Sequence, residues 1–296
     1  MMNKHAYLIM AHNQFEILEK IIKLLDDEKN DFYIHIDKKV KHFNFNKVKD
    51  LATKSNIFFV KRIDVKWGHF SQIECEILLL KSAIERNYSY YHLISGVDMP
   101  IKSKERIYDF FEKNIGKEFI HFENKEKIEN NINRYSIYQF FPYYKRSKFH
   151  PILGPFVRFT RKIQKVLKMN RVKNEKLIFK KEAQWFSITN DLANYILSKE
   201  NWIRKIFKFS YCCDEIFLQT LVFNSKFKKN VYNQKLENNH IDSIKRYIDW
   251  ERGGPYIFRE KDFDDLIKSE ALFARKFDIN IDKKIVNKIF EYYYRK

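Results

Sequence analysis

The chain has 296 residues, 45% of them hydrophobic and 17% aromatic, enough to bury the core of one large α/β unit. Six glycines and five prolines, with no repeat at solenoid periods, exclude collagen-like, linker-rich and array architectures. The balance of 57 Lys+Arg against 38 Asp+Glu gives a net charge of +19, which favours nucleic acid, phospholipid or a phosphorylated substrate as partner; a bias toward Lys, Asn, Ile and Phe accounts for the same excess equally well.

In chain order, Ala6 to Met10 reads as a buried first strand, its apolar run too short for a signal peptide or a membrane span. Gln14 to Leu25 follows as an amphipathic helix, because Phe15, Leu18, Ile21, Ile22 and Leu25 recur at helical spacing. Phe32 to Ile36 is a second strand ending at Asp37 and a lysine cluster, and Asn56 to Val60 a third. Ser71 and Glu74 have capping-box spacing ahead of an apolar-periodic run through Ile84. Tyr90 to Ile94 is then a buried strand with Ser95 to Pro100 as its exit turn. Strands alternating with helices predict a mainly parallel sheet flanked by helices, with ligands bound beyond the carboxyl ends of the strands, here Ala11-His12-Asn13, Asp37-Lys38-Lys39 and Ser95 to Asp98.

Residues 145 to 181 are densely basic, from Lys145 and Arg146 to Lys180 and Lys181, with Glu175 as the one acid. Pro155 to Met169 has the pattern of a basic amphipathic helix, which fits an anionic membrane surface; the plainer expectation is a solvated basic face on a helix whose apolar side packs on the domain. Leu177 to Ile188 and Tyr211 to Phe223 read as core segments, and Val286 to Tyr294 as a closing apolar helix.

Three features carry candidate chemistry. Asp214 and Glu215 stand at the start of a hydrophobic run, where Asp214 suits a helix cap and Glu215 suits a general base held at a cleft. The turn Trp250 to Pro255 sets Arg252 beside two glycines, and Leu272 to Phe277 brings Arg275 and Lys276 into an apolar setting; cations held so need an anion such as a diphosphate. His12, His35, His69 and His92 lack paired metal-ligand spacing and read as satisfied histidines at strand ends. Cys75, Cys212 and Cys213 fit neither a metal site nor a disulfide framework, which favours a reducing cytosol. No GxxxxGK[ST] or GxGxxG loop is present.

Ala6 to His12, Tyr33 to Lys39, Val65 to Gly68, Ser95 to Ile101, Gln184 to Phe186, Asp214-Glu215 and Leu272 to Asp278 form ordered blocks running nearly the length of the chain. In these blocks the chain resembles glycosyltransferase family 14, the core-2/I-branching N-acetylglucosaminyltransferases and peptide O-xylosyltransferases, especially small bacterial members. The resemblance implies a variant of the GT-A nucleotide-sugar fold and an inverting transfer that needs no divalent metal or other cofactor. It implies Glu215 as catalytic base, Asp37 as nucleoside contact, and Lys276 with an arginine near Arg252 as diphosphate ligands. On the same resemblance, Ala11, His12 and Asp98 are expected at the donor site, Asp98 ordering the sugar or its adjoining loop, and Gln184, Trp185 and Asp214 at the acceptor cleft.

The family's animal members are lumenal, disulfide-rich and membrane-anchored, whereas this sequence shows neither feature. The expectation is therefore a cytoplasmic enzyme, peripheral on the inner membrane face if 145 to 181 touches lipid, with a UDP-sugar and a glycan or lipid-linked acceptor as partners in capsule or lipopolysaccharide synthesis. One catalytic domain is expected, with a nucleotide-binding half over about 1–115 and an acceptor and catalytic half over about 116–296. A basic nucleic-acid-binding protein and an inactive scaffold of the same fold are the competing expectations; no RNP, KH, zinc-finger or helix-turn-helix signature supports the first.

Overall fold

The computed structural model describes residues 3–122, 129–144, 147–235 and 240–294; Lys145 and Arg146 of the basic segment lie outside them. The first half alternates as the sequence predicts: β1 (His5–Ala11), α1 (Phe15–Leu25), β2 (Asn30–Ile36), α2 (Phe45–Lys49), β3 (Asn56–Phe59), α3 (Ser71–Ala83), β4 (Tyr90–Ser95), β5 (Met99–Pro100) and α4 (Lys104–Lys113). The second half is mainly helical, with α5 (His150–Val166), β6 (Ser187–Thr189), α6 (Asn190–Ser198), α7 (Glu200–Phe207), α8 (Phe217–Phe223), α9 (His240–Ile244), β7 (Arg246–Ile248), α10 (Phe263–Lys268), β8 (Phe273–Arg275) and α11 (Lys283–Tyr294).

The main sheet has the order β3-β2-β1-β4-β6. Its first four strands run parallel and β6 is antiparallel to β4. Both faces are covered, so β1, β2 and β4 carry near-continuous apolar runs. One face packs under α3, α6, α7 and α8, the other under α1, α4, α10 and α11. Of the predicted stripe of α1, Leu18, Ile21, Ile22 and Leu25 are inaccessible to solvent and Phe15 is partly buried, while Ile17, outside that stripe, is buried as well, each full burial contributing about 1.5–3 kcal/mol before entropy is charged against it.

From β1 the chain builds outward to β2 and β3, then returns to place β4 on the other side of β1. That reversal makes the carboxyl ends of β1 and β4 the switch point, where an open α/β sheet leaves a crevice. The two ends approach closely, the Gly96 N–H donating to Met10 O at 2.9 Å. A Cβ at Gly96 would stand 2.9 Å from the Ala11 Cβ.

A second sheet, β5-β8-β7, stands just beyond β4. Arg246 joins the two sheets. It is almost wholly buried, and its guanidinium donates to the Phe186 carbonyl at 2.8 Å and the Ser187 hydroxyl at 3.1 Å.

Three local expectations are corrected. Helix α3 starts at Ser71, yet no capping box forms: Phe70 is already helical (φ −53°), the Ser71 hydroxyl accepts from the Lys66 N–H, and Glu74 pairs with Arg204 at 2.7 Å. Asp214 caps no helix: it lies with Glu215 in a 3₁₀ turn (Cys213–Glu215), and Ile216 precedes α8. The basic helix spans His150–Val166 and does not pack its apolar residues on the domain, burying only Gly154, Val157 and Gln164 while Phe156 and Phe159 face solvent.

The contact at Gly96 yields a test. Gly96→Ala is expected to destabilise by about 1–3 kcal/mol in urea unfolding, because a methyl group is forced into a filled space. Combining it with Ala11→Gly should recover at least about 1 kcal/mol relative to additivity; strictly additive effects would show that the approach does not constrain the sheet.

Candidate active site

At the switch point, Asp37 ends β2 and is buried. Its N–H donates to Ala11 O at 2.9 Å, and its carboxylate accepts from the N–H groups of Lys39 (2.8 Å) and Val65 (3.2 Å), with the Lys39 ammonium at 3.3 Å. Asp37 thereby shapes the loop after β2. His12 lies at the end of β1 and stays below the ordinary imidazole range because of partial burial, against the pull of Asp37 and with the nearby charges of Lys39, Lys276 and Arg275. Those influences put Asp37, His12 and the Arg275-Lys276 segment in one neighbourhood.

Asp98 turns back on its own loop. Its carboxylate accepts from the Ser95 N–H (2.9 Å), the Ser95 hydroxyl (2.8 Å) and Arg275 Nη1 (2.7 Å). The Arg275 guanidinium lies 4.4 Å from the Trp185 ring centroid, so one arginine joins the β4 exit turn, β8 and the 182–186 segment. Lys276 is held through its backbone, accepting from Phe258 N–H at 3.0 Å. No hydrogen bond or ion pair joins its ammonium to another described residue. Two residues on, Asp278 accepts from the Gln14 amide at 2.6 Å, which fastens this segment to the start of α1.

The acidic half lies on the other side of the 182–186 segment. Glu215 is partly exposed and pairs with Arg134 at 2.7 Å and Lys181 at 3.8 Å. Asp214 is buried, accepts from the Gln72 amide at 2.8 Å, and is pushed up to about 7 by burial and by the adjacent Glu215 charge. Glu76, wholly buried on α3, is pushed well above the carboxylate range by the same desolvation and by Asp214, partly offset by the Gln184 amide at 3.3 Å. Two buried carboxyl groups thus sit behind one accessible carboxylate. Glu182 N–H donates to Glu215 O at 2.9 Å, Gln184 reaches Glu76, and Trp185 underlies Arg275, so these neighbouring residues connect the acids to the crevice.

Beside Glu182 stand His121 and His240, their ligand atoms all within 4.8 Å of one another. Burial alone would raise Glu182, but His240, its Nε2 3.3 Å from the carboxylate, and the His121 and Lys181 charges hold it down at about 2. Among the described residues this trio could hold a metal, its donors being those zinc takes. The histidines singled out in the sequence are not part of it: His35 accepts from the Ile63 N–H, His69 from the Ser71 N–H, and His92 pairs with Ser187 and His5.

The structure brings Ala11, His12, Asp37, Asp98 and Lys276 to the switch point, and Gln184, Asp214 and Glu215 to the acidic half, with Trp185 between. Arg252 is placed differently. Its guanidinium pairs with Asp249 and with Asp262 at 2.7 Å and packs over Tyr256, so two carboxylates already neutralise it. Arg275 is the arginine at the crevice. Sequence reasoning missed Arg134, Gln72 and Glu76, because each reaches the site from an element far away in the chain and no local motif marks it.

A family model described as Core-2/I-Branching enzyme matches residues 5–265. The chain is similar to a human beta-1,3-galactosyl-O-glycosyl-glycoprotein beta-1,6-N-acetylglucosaminyltransferase, 22% identical over 94% of this chain and 66% of that protein. It is also similar to rat xylosyltransferase 2, 20% identical over 95% of this chain and 32% of that protein. The chain therefore spans just under two thirds of the first relative and about a third of the second. Among solved structures, the apo form of mouse xyloside xylosyltransferase 1 aligns over 92% of this chain and 96% of its own, with a TM-score of 0.35 and 11% identity. Since the family match runs from β1 into α10 and takes in Asp37, Asp98 and the acidic turn, though it stops short of Arg275 and Lys276, the chain belongs to the Core-2/I-Branching enzyme family.

Proposed function

We propose that the chain transfers a sugar, N-acetylglucosamine or xylose, from a UDP-sugar to a hydroxyl group of a glycan acceptor, with inversion and without a divalent ion on the diphosphate. One observation carries this reading: the 182–186 segment joins a crevice bearing an uncompensated lysine to an accessible carboxylate backed by buried acids. The donor lies at the switch point, with its nucleoside toward Asp37 and its diphosphate toward Lys276. Arg252 stays a candidate only if the donor displaces Asp249 or Asp262.

Glu215 takes the proton of the acceptor hydroxyl as that oxygen bonds to the anomeric carbon. The bond from that carbon to the diphosphate breaks on the opposite face, and its electron pair leaves with UDP. Lys276 stabilises the charge that develops there, in place of a metal. Arg275 holds Asp98 and Trp185 so that the crevice wall keeps its shape. Trp185 offers a ring face against which a sugar can stack. The acceptor is a lipid-linked oligosaccharide of a bacterial surface polysaccharide, and the reaction takes place on the cytoplasmic side of the membrane. Neither nucleic-acid binding nor an inactive scaffold accounts for Glu215 and Lys276 on either side of one connecting segment.

Glu215→Gln is expected to lower transfer by about 10²–10⁴-fold with UDP affinity near wild type, read by donor turnover and calorimetry; full activity would refute the base assignment. Lys276→Ala should lose about 10²–10³-fold and weaken UDP binding, whereas Arg252→Ala should change turnover less than about tenfold. The reverse ranking would exchange their roles. Adding Mg²⁺ or Mn²⁺ should leave the rate unchanged, and a rate that rises with Mn²⁺ would overturn the metal-free step.

Asp214 supplies a pH test. Its folded pKa lies above the ordinary value of 3.8, at about 7, because burial disfavours its charge. Its contribution to stability is therefore complete below pH about 4 and is lost as pH rises through about 7. Urea unfolding at pH 5 and pH 8 should show wild type losing more stability on the alkaline side than Asp214→Asn, by roughly 2–4 kcal/mol. Equal losses would mean that Asp214 stays ionised in the fold.

A further inference from the structure

Helix α5 carries its apolar residues outward. Phe149, just before the helix, Ile152, Phe156, Phe159, Ile163 and Val166 recur every three or four residues, and Leu167 continues the row. At 3.6 residues per turn they fall in one sector about 100° wide. All are exposed, Ile152 and Val166 to 74% and Phe159 to 62%. Gly154, Val157 and Gln164 form the different, buried face that holds the helix on the protein. The Gln164 amide anchors it, donating to Tyr138 O at 3.0 Å and accepting from Tyr138 N–H at 2.7 Å.

Lysine and arginine border the stripe. Lys148, Arg158, Lys162, Lys165 and Lys168 are exposed along the same helix and its ends, and residues 147 to 174 contain no Asp or Glu. An apolar row this long is costly in water and marks a contact surface. A second copy of this chain is a poor occupant, since face-to-face pairing sets these cations against one another with no acid on the segment to offset them. A surface that is anionic at its outer layer and apolar beneath satisfies both features: the phenylalanine and isoleucine side chains enter the acyl boundary while the lysines and arginines stay among the headgroups.

We infer that α5 docks the protein on an anionic lipid bilayer, lying in the plane of the interface with Phe156, Phe159 and Ile163 inserted. A cleft of about 620 Å³ runs from this helix, at Arg161, Lys165 and Lys168, to Arg134 and Tyr211. Arg134 is the partner of Glu215. The α5 residues that line this cleft lie on the helix face opposite the apolar stripe, with the buried Gln164, so the docked helix stands between the bilayer and the cleft that leads to the acidic turn. The docking stands on the helix alone and does not depend on the transfer reaction.

The test is sedimentation of the whole chain with vesicles of phosphatidylcholine alone or with phosphatidylglycerol. The wild type should bind the phosphatidylglycerol vesicles, release as salt rises, and bind pure phosphatidylcholine at least about tenfold more weakly. Phe156→Glu with Phe159→Glu, and separately Arg158→Glu with Lys162→Glu, should each lower binding by at least about tenfold while melting temperature and hydrolysis of soluble donor hold. Absence of binding at low salt, or variants that bind as well as wild type, would overturn the proposal. So would a wild-type dimer that Phe159→Glu converts to monomer, because the stripe would then be covered by a second copy. Vesicle binding without any sugar transfer would leave docking standing and remove the transferase reading.

Discussion

The placement of the small sheet over the exit of β4 governs the rest of the site, and two arginines fix it. Arg246 is buried where the two sheets meet and donates to the carbonyls of Phe186 and Leu93 and to the Ser187 hydroxyl. Burial lowers its pKa to about 10, still far above neutrality, so the charge persists and binds those carbonyls more strongly than a neutral donor would. Arg275, on β8, closes onto Asp98 and Trp185. With β8 located in this way, Lys276 follows next to the crevice between β1 and β4, its ammonium joined by no hydrogen bond or ion pair to another described residue.

The acidic turn follows the opposite logic. Here the polar atoms are supplied with too few partners: Glu76 Oε2 and Asp214 Oδ1 are buried with no hydrogen bond among the described residues. Burial disfavours the charge on both groups, and the neighbouring Asp214 charge for Glu76 and the Glu215 charge for Asp214 add to it, so both carboxyls are pushed above the ordinary range. Glu215, by contrast, reaches solvent and has Arg134 and Lys181 beside it. Adjacent acids in one turn therefore stand in different surroundings, one buried and one at the surface between two cations.

Much of the main sheet was legible because its strands obey short-range rules. The run from Ala6 to Met10, the stripe from Phe15 to Leu25 and the turn after Ile94 each declare themselves within about a dozen residues. Glu215, Lys276 and Asp37 came from the family resemblance, which carries long-range information that periodicity does not. The misreadings share a cause. The capping box at Ser71 failed because the preceding loop already turns helically, and Arg252 looked available because Asp262, one of its partners, is separated from it by a turn whose path no local pattern predicts. Arg134 and Glu76 were invisible for the same reason, since each becomes important only through a carboxylate far along the chain.

The fold also divides the large positive charge into two populations. Around the crevice and the acidic turn, cations are mostly matched, Arg275 by Asp98, Arg252 by Asp249 and Asp262, Arg134 by Glu215. Such pairs act over a few ångströms, and their fields largely cancel beyond the Debye length of about 10 Å at 0.1 M salt. On α5 no acid interrupts the basic residues, so their fields add and reach farther into solvent. The proposed attraction toward an anionic surface and the proposed stabilisation of a leaving diphosphate therefore draw on separate groups of cations. Each depends on its own lysines, and neither can be read from the net charge.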